Sequence, residues 1–340
     1  MAHVTIVTAG GTIASTGPDS GEVGKTPTVS GEDLVEAVPE LANHATVDVE
    51  SVRRRSGFQM DEASATAIVD AIERADSSDV DGVVVTHGTD TMAESAYYAD
   101  VVLESDLPVV FTGAQRPFDR LGADGPSNLE LAVRTAAADR FSDAGGAYLA
   151  FNDAVHAARW VVKGHASKLE TFSSPGAGPI AESTPAGIRF LREPGRYSSP
   201  IPGARLDPNV RVEIVTNALG VDGGRVDRAL AADAVEGFVL AGTGLGNATG
   251  ALGEALESAL EAGVPVVLTT RCFEGSVAGL YGGPGGGKTL RAAGAIDGGD
   301  LPPWKARIRT ALALVDGESG SALERVEAAF DRVPSYDRSR

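Results

Sequence analysis

The sequence predicts an α/β protein of two α/β domains: a larger N-terminal one built on a Rossmann- or flavodoxin-like parallel sheet, and a smaller C-terminal one. Three observations carry this. Short β-branched runs alternate with longer Ala/Leu/Glu-rich stretches, the pattern of helices crossing over a mainly parallel sheet. The alternation stops over Arg192–Asn209, where REPGRYSSPIPGARLDPN has four prolines and no periodicity, and then resumes. A chain of 340 residues, 43% of them hydrophobic, is long enough for about two cores at roughly 150 residues each.

In chain order, Val4–Thr8, Gly82–Thr86, Val109–Gly113 and Ala147–Phe151 read as buried strands. Glu32–Ala37, Asp61–Ala75, Met92–Leu103 and Asn128–Phe141 read as the helices between them. The first domain is expected over 1–191, a linker over 192–209 and the second domain over 210–340. In the second domain Val210–Thr216, Gly237–Ala241 and Val264–Thr270 read as strands, with helices near Val226–Ala232, Leu252–Glu261, Lys305–Leu314 and Ala322–Phe330.

Charge narrows the function. Asp and Glu outnumber Lys and Arg by 47 to 29, a net charge of −18, which repels nucleic-acid backbones and anionic lipid surfaces. Apolar runs such as Val264–Leu268 fall far short of the ~20 residues that span a bilayer. The start, MAHVTIVTAGG, lacks a secretory charge–apolar–cleavage pattern, and Cys272 is the single cysteine, so an internal disulfide is impossible. These features point to the cytoplasm. Lysine occurs only at Lys25, Lys163, Lys168, Lys288 and Lys305; so few lysines on so acidic a chain predict a surface that stays hydrated in concentrated salt, the mark of a halophilic source, the competing reading being an ordinary acidic soluble protein.

Parallel sheets bind ligands beyond the carboxyl ends of their strands, which directs attention to TAGGTIAST (8–16), THGTDTM (86–92), TGAQRP (112–117) and FNDAVHAARWVVKGHASKLETF (151–172). Gly10–Gly11 permits a tight turn that leaves the Thr12 hydroxyl beside backbone N–H groups, the parts of a nucleophile with oxyanion donors; the competing reading is a threonine that merely caps the turn. Thr89 and Asp90 place a hydroxyl and a carboxylate on one strand-to-helix turn; the competing reading has one of them capping the helix that follows, and capping and catalysis are compatible. A threonine hydroxyl needs a base, and a partly buried lysine can serve. Among five lysines, Lys163 lies in a mixed apolar and polar segment after a strand and is the best candidate.

Gly282–Thr289 satisfies the phosphate-loop pattern Gly-x-x-x-x-Gly-Lys-Thr, but the nearest clear strand lies well upstream and Gly294 and Gly298 break the stretch after it; the tract reads better as a flexible glycine loop. His3, His44, His87, His156 and His165 show no metal spacing, so no metal site is expected.

TAGGTIAST, VVVTHGTDTMAESAYY and VVFTGAQRP, in this order and spacing, resemble the bacterial-type L-asparaginases; the first two match that family's threonine signatures. ADGPSNLELAV, the 151–172 segment, VLAGTGLGN and WKARIRTALAL extend the likeness over nearly the whole chain. The resemblance implies a cofactor-free homo-oligomeric amidohydrolase, a dimer or tetramer, that converts L-asparagine to L-aspartate and ammonia through an acyl-enzyme. By that likeness Thr12 is the nucleophile, Thr89, Asp90 and Lys163 form the accompanying set, and Asp90 also holds the substrate's α-amino group. Backbone at Gly11, Gly88 and Ala114 lies near the substrate, and Asn247 matches an asparagine that reaches a neighbouring subunit's site. The residue for the substrate's carboxylate falls in RSGFQMD, with Ser56 the first choice and Gln59 the second. Where the family often carries a loop tyrosine, residues 17–30 have none, and Lys25 or Thr26 stands in that region. The nearest alternatives are a glutaminase-asparaginase and the amidase component of the archaeal Glu-tRNA(Gln) amidotransferase. That component adds a domain ahead of the first motif, which here begins at Thr8.

Overall fold

The computed structural model describes residues 1–16, 26, 27, 29–315, 320–331 and 333. The chain divides into two compact units, Met1–Pro200 and Ile201–Arg340.

The first unit is built on an eight-stranded sheet. Its strands are β1 (Ala2–Gly10), β2 (Ala45–Arg55), β3 (Gly82–Thr86), β4 (Val109–Thr112), β5 (Ala147–Phe151), β6 (Ala154–Ala157), β7 (Ala181–Thr184) and β8 (Gly187–Phe190). They lie in the order β8-β7-β6-β5-β4-β3-β1-β2. The five strands β2-β1-β3-β4-β5 are parallel, the flavodoxin-like order, while β5 to β8 pair antiparallel. In register, Thr8 lies beside Thr86 and Thr86 beside Thr112, so the carboxyl ends of β1, β3 and β4 finish level. Helices α1 (Gly31–Glu36), α2 (Glu62–Asp76), α3 (Met92–Val102), α4 (Gly125–Ala136) and α5 (Asp139–Ser142) follow in order. Val4, Ile6, Val84, Val110, Leu129, Ala132 and Tyr148 belong to one buried core of sheet and helix side chains.

The local reasons are readable. Ser30 and Asp33 form a reciprocal capping box that starts α1, and the Asp61 carboxylate accepts the Ser64 N–H at the head of α2. β3 and β4 are buried along their whole length and so read as continuous Val-rich runs.

Three sequence expectations change. β2, eleven residues long, is an edge strand that alternates Val47 and Val49 with Asp48 and Glu50, and those charges dilute its strand signal. The helix expected over Asn128–Phe141 is two helices. Ala138 turns extended between them, and buried Phe141 packs edge-on against Tyr148 with ring centroids 4.8 Å apart. The antiparallel extension from β6 onward was not anticipated. It begins where Asn152 and Asp153 both take the left-handed conformation (φ 48° and 63°), the geometry of a two-residue hairpin turn.

The second unit has a four-stranded parallel sheet, β9 (Val212–Thr216), β10 (Gly237–Gly242), β11 (Val266–Thr270) and β12 (Ile296–Asp297), in sequential order. Helices α6 (Gly224–Ala231), α7 (Gly250–Glu261), α8 (Gly287–Ala292), α9 (Pro303–Val315) and α10 (Ala322–Phe330) accompany it. Phe238, Leu240, Leu252, Leu256 and Leu268 share its core.

Candidate active site

Three turns meet at the carboxyl ends of β1, β2 and β3, where the strand order of the first sheet reverses direction around β1. The first turn carries Gly10 and Gly11 at φ 91° and 89°, a backbone region that L side chains rarely adopt, followed by a single 3-10 turn at Thr12–Ala14. A β-carbon placed on Gly11 would sit 2.5 Å from the Gly88 nitrogen, and one placed on Gly88 would sit 2.4 Å from the Gly57 nitrogen. The three glycines are therefore in backbone-to-backbone contact, which no larger residue permits. The Gly11 N–H also donates to the Arg55 carbonyl at 3.0 Å. Each glycine is followed within two residues by a candidate: Thr12 after Gly11, Thr89 and Asp90 after Gly88, Gln59 after Gly57; Ser56 precedes Gly57.

Lys163 arrives from elsewhere. It lies in a short ribbon, Val162–Lys163 paired antiparallel with Phe172–Ser173. Its ammonium donates to Thr89 Oγ1 at 2.8 Å and to Asp90 Oδ1 at 2.7 Å. The Lys163 side chain is only 15% exposed, whereas that of Asp90 is 51% exposed, so the pair has one screened end and one open to solution. Thr89 is buried. The N-cap of α3 is Thr91, not Thr89 or Asp90. Among the described residues the Thr12 hydroxyl has no hydrogen-bond partner.

A neighbouring loop, Gly113–Arg116 after β4, is braced from below. The Asn128 side chain donates to the Gly113 carbonyl at 2.9 Å and accepts the Asn152 N–H at 2.9 Å, while Asp124 accepts the N–H groups of Gln115 and Arg116. Ala114, fully buried, lies in this loop; a β-carbon on Gly113 would meet the His87 carbonyl at 2.4 Å, so the loop abuts the Gly88 turn. His87 lies beneath that turn. Its Nδ1 is 2.7 Å from the Gly88 carbonyl, Ser95 Oγ is 2.9 Å from its Nε2, and complete burial lowers its pKa to about 4, so the imidazole is neutral. With Nδ1 facing a carbonyl, Nδ1 donates and Nε2 accepts from Ser95.

The sequence alone assigns Asn128, Asp124 and His87 no bracing role, though His87 lies inside the densest motif and Asp124 and Asn128 inside ADGPSNLELAV. Of the two residues that stand in the region of the family's loop tyrosine, Lys25 lies outside the described residues, and Thr26 pairs antiparallel with Thr16 in a short ribbon.

Asn247 belongs to the second unit. There its Oδ1 accepts the Gly287 N–H at 3.0 Å and its carbonyl accepts from Asn217, tying the Thr243–Asn247 loop to the glycine tract. That tract is a packed element rather than a loose loop. A β-carbon on Gly253 would lie 2.3 Å from the Gly285 α-carbon, and the N–H groups of Gly286, Gly287 and Lys288 are bound by Gly283 O, Asn247 Oδ1 and Tyr281 O. Amides that a phosphate would need are thus engaged inside the protein. Among the described residues no group of His, Cys, Asp or Glu is placed to hold a metal ion, and no helix is long and apolar enough to cross a membrane.

Residues 3–196 match the model "Asparaginase, N-terminal" and residues 211–326 match "Glutaminase/Asparaginase C-terminal domain". The chain is 33% identical to the L-asparaginase of Bacillus licheniformis, over 93% of this chain and 97% of that one. It is 31% identical to a component of the glutamyl-tRNA(Gln) amidotransferase of Halobacterium salinarum, over 94% of this chain and 77% of that protein. A solved structure described as a probable cytoplasmic L-asparaginase from Campylobacter jejuni superposes with a TM-score of 0.84 at 28% identity, over 97% and 99% of the two chains.

Proposed function

The chain belongs to the asparaginase family, and from that premise we propose that it hydrolyses L-asparagine to L-aspartate and ammonia through a threonine acyl-enzyme. The observation that supports the site assignment best is Lys163, which donates simultaneously to Thr89 and Asp90 on a turn whose glycine is in contact with Gly11, the residue before Thr12.

In this reading Thr12 Oγ attacks the carboxamide carbon. A carbon–oxygen bond forms, and the carbonyl electrons are held by backbone donors at the end of β1. The Lys163 ammonium donates to Thr89 Oγ1, so the hydroxyl hydrogen of Thr89 is turned away from it and can move toward the reacting amide. The proton that Thr12 loses passes through this pair to the departing nitrogen, the carbon–nitrogen bond breaks, and ammonia leaves. Water then attacks the Thr12 ester; the carbon–oxygen bond to Thr12 breaks, and one water proton restores the Thr12 hydroxyl. No net proton is lost by the protein. Asp90 takes the substrate's α-ammonium, and Ser56 or Gln59 donates to its α-carboxylate.

Ammonia release from asparagine and from glutamine is the deciding assay, for the wild type, Thr12→Ala and Thr89→Val. Each variant is expected to fall by about three orders of magnitude or more in kcat with the fold intact. A Thr12→Ala enzyme within tenfold of wild type would remove Thr12 from the attacking role.

Exposed Leu219, Phe273, Leu280 and Tyr281 on the second unit support a homo-oligomer, and the acidic, lysine-poor surface supports a halophilic source. A single cysteine and the absence of a membrane-crossing helix among the described residues fit a cytoplasmic enzyme. Sedimentation and activity measured across salt concentrations test these points: a monomer, or full activity at low salt, speaks against the corresponding one.

A further inference from the structure

We propose that Thr91 is a positioning residue: its hydroxyl clamps the Ser56–Gln59 turn onto the Gly88–Asp90 turn and thereby sets the separation between the two groups that grip the substrate's α-carbon substituents. This rests on the proposed function, in which Asp90 takes the α-ammonium and the Ser56–Gln59 turn takes the α-carboxylate.

Thr91 holds the N-cap position of α3, where a threonine side chain ordinarily accepts an N–H from the first helical turn. Here it caps nothing. Its Oγ1 instead donates 2.7 Å across to the carbonyl of Gly57. Gly57 is the residue whose backbone lies against Gly88: a β-carbon on it would come within 2.9 Å of the Gly88 carbonyl and 3.1 Å of the Asp90 nitrogen. The two turns therefore touch through bare backbone, and glycine-on-glycine contact alone supplies little to stop them sliding. A directed bond at this seam fixes the register. Within the facing turn, the Gly88 carbonyl is held by the His87 imidazole. Ser56 and Gln59 are further joined by the Gln59 N–H to Ser56 carbonyl bond at 2.9 Å, so the turn moves as one body.

The groups that Thr91 fixes on the Ser56–Gln59 turn form and break no bond in the reaction, and Thr89 on the facing turn is held by Lys163 rather than by Thr91. The clamp therefore acts on recognition of the amino-acid backbone and leaves the acyl-transfer step alone. Because Thr91 does not cap α3, Thr91→Val removes the cross-turn bond without removing a helix bond, and Thr91→Ser keeps the donor.

Steady-state ammonia release on the full chain, with hydrogen–deuterium exchange of the Ser56–Met60 segment, tests this. Thr91→Val is expected to raise KM for L-asparagine about tenfold, the factor that one lost hydrogen bond commands, with kcat within about twofold. Thr91→Ser should restore KM to within about twofold of wild type. Exchange over Ser56–Met60 should accelerate in Thr91→Val and return to normal in Thr91→Ser. An unchanged KM, a fall in kcat equal to the rise in KM, or a serine variant as impaired as the valine one overturns the clamp. A wild type that releases no ammonia from asparagine defeats the proposed function instead. The exchange comparison then still scores the clamp: equal rates in wild type and Thr91→Val overturn it.

Discussion

Both units present loops at the carboxyl ends of a parallel sheet, yet the loops spend their polar groups in opposite ways. In the second unit they satisfy one another. Asn217 donates to Thr243 Oγ1 and to the Asn247 carbonyl and accepts the Thr249 N–H, the Thr249 hydroxyl donates to the Val221 carbonyl, and Asn247 holds Gly287. In the first unit the bonding lies one layer down, in Asn128, Asp124, His87 and Thr91, while the layer above carries Thr12, Thr89, Asp90 and Lys163. The difference teaches what distinguishes the two sets of loops: in the second unit the polar groups close on one another, whereas in the first a braced layer supports the linked Lys163, Thr89 and Asp90 and a Thr12 hydroxyl without a partner among the described residues.

The sharpest way to break this contrast is steric. Gly88→Ala puts a methyl 2.4 Å from the Gly57 nitrogen and must force the two turns apart. We expect activity to fall at least a hundredfold and stability by about 3 kcal/mol, as overpacking of a rigid contact does. Gly282→Ala in the glycine tract, where an added methyl meets nothing within 4 Å, should leave both nearly unchanged. Activity assays and urea melts on the pair decide it, and a fully active Gly88→Ala enzyme would sink the turn-contact account.

Asn247→Ala gives the next largest effect. It strands the Gly287 N–H, at a cost of about 1–3 kcal/mol in the second unit. If instead KM moves and the melting curve does not, Asn247 acts on substrate, as the family resemblance implies, and the scaffold description of its loop is wrong.

The smallest effect is a slope. All five histidines lie in the first unit, and burial lowers the pKa of both His87 and His156 from 6.5 to about 4. Between those values the unfolded chain binds protons that the folded chain refuses, so stability that is full above pH 6.5 is lost as pH falls toward 4. Each buried histidine contributes up to about 1.4 kcal/mol per pH unit across that window. Buried Asp100, whose carboxyl is pushed up by desolvation, works with the opposite sign. Urea melts from pH 7 to 5 should therefore show the first unit weakening first. His156→Gln should reduce the slope by about one proton; an unaltered slope would exclude His156 from the acid response.

Much of this was legible beforehand, for a definite reason. The buried strands were readable from their β-branched runs, and the turns that carry Thr12, Thr89 and Asp90 from glycine beside hydroxyl at strand ends, whereas Lys163 was singled out only by comparison among five lysines. The bracing layer was not legible. Asn128 and Thr91 look like an ordinary helix residue and an ordinary cap until their partners, 15 to 34 residues away, are known. β2 escaped because edge strands tolerate charge, and the packed glycine tract was mistaken for slack because glycine marks both freedom and close approach. Ser56 against Gln59 stayed ambiguous because both flank the same glycine in one turn.

One consequence concerns the order of events in time. Lys163 reaches Thr89 across 74 positions of chain, and β4, β5 and the hairpin reversal at Asn152–Asp153 must all be in place before it can do so. Local helices form within microseconds, whereas such a long-range closure is slow. During refolding, catalytic competence should thus lag behind recovery of helical signal, making turnover a clock for completion of the first sheet.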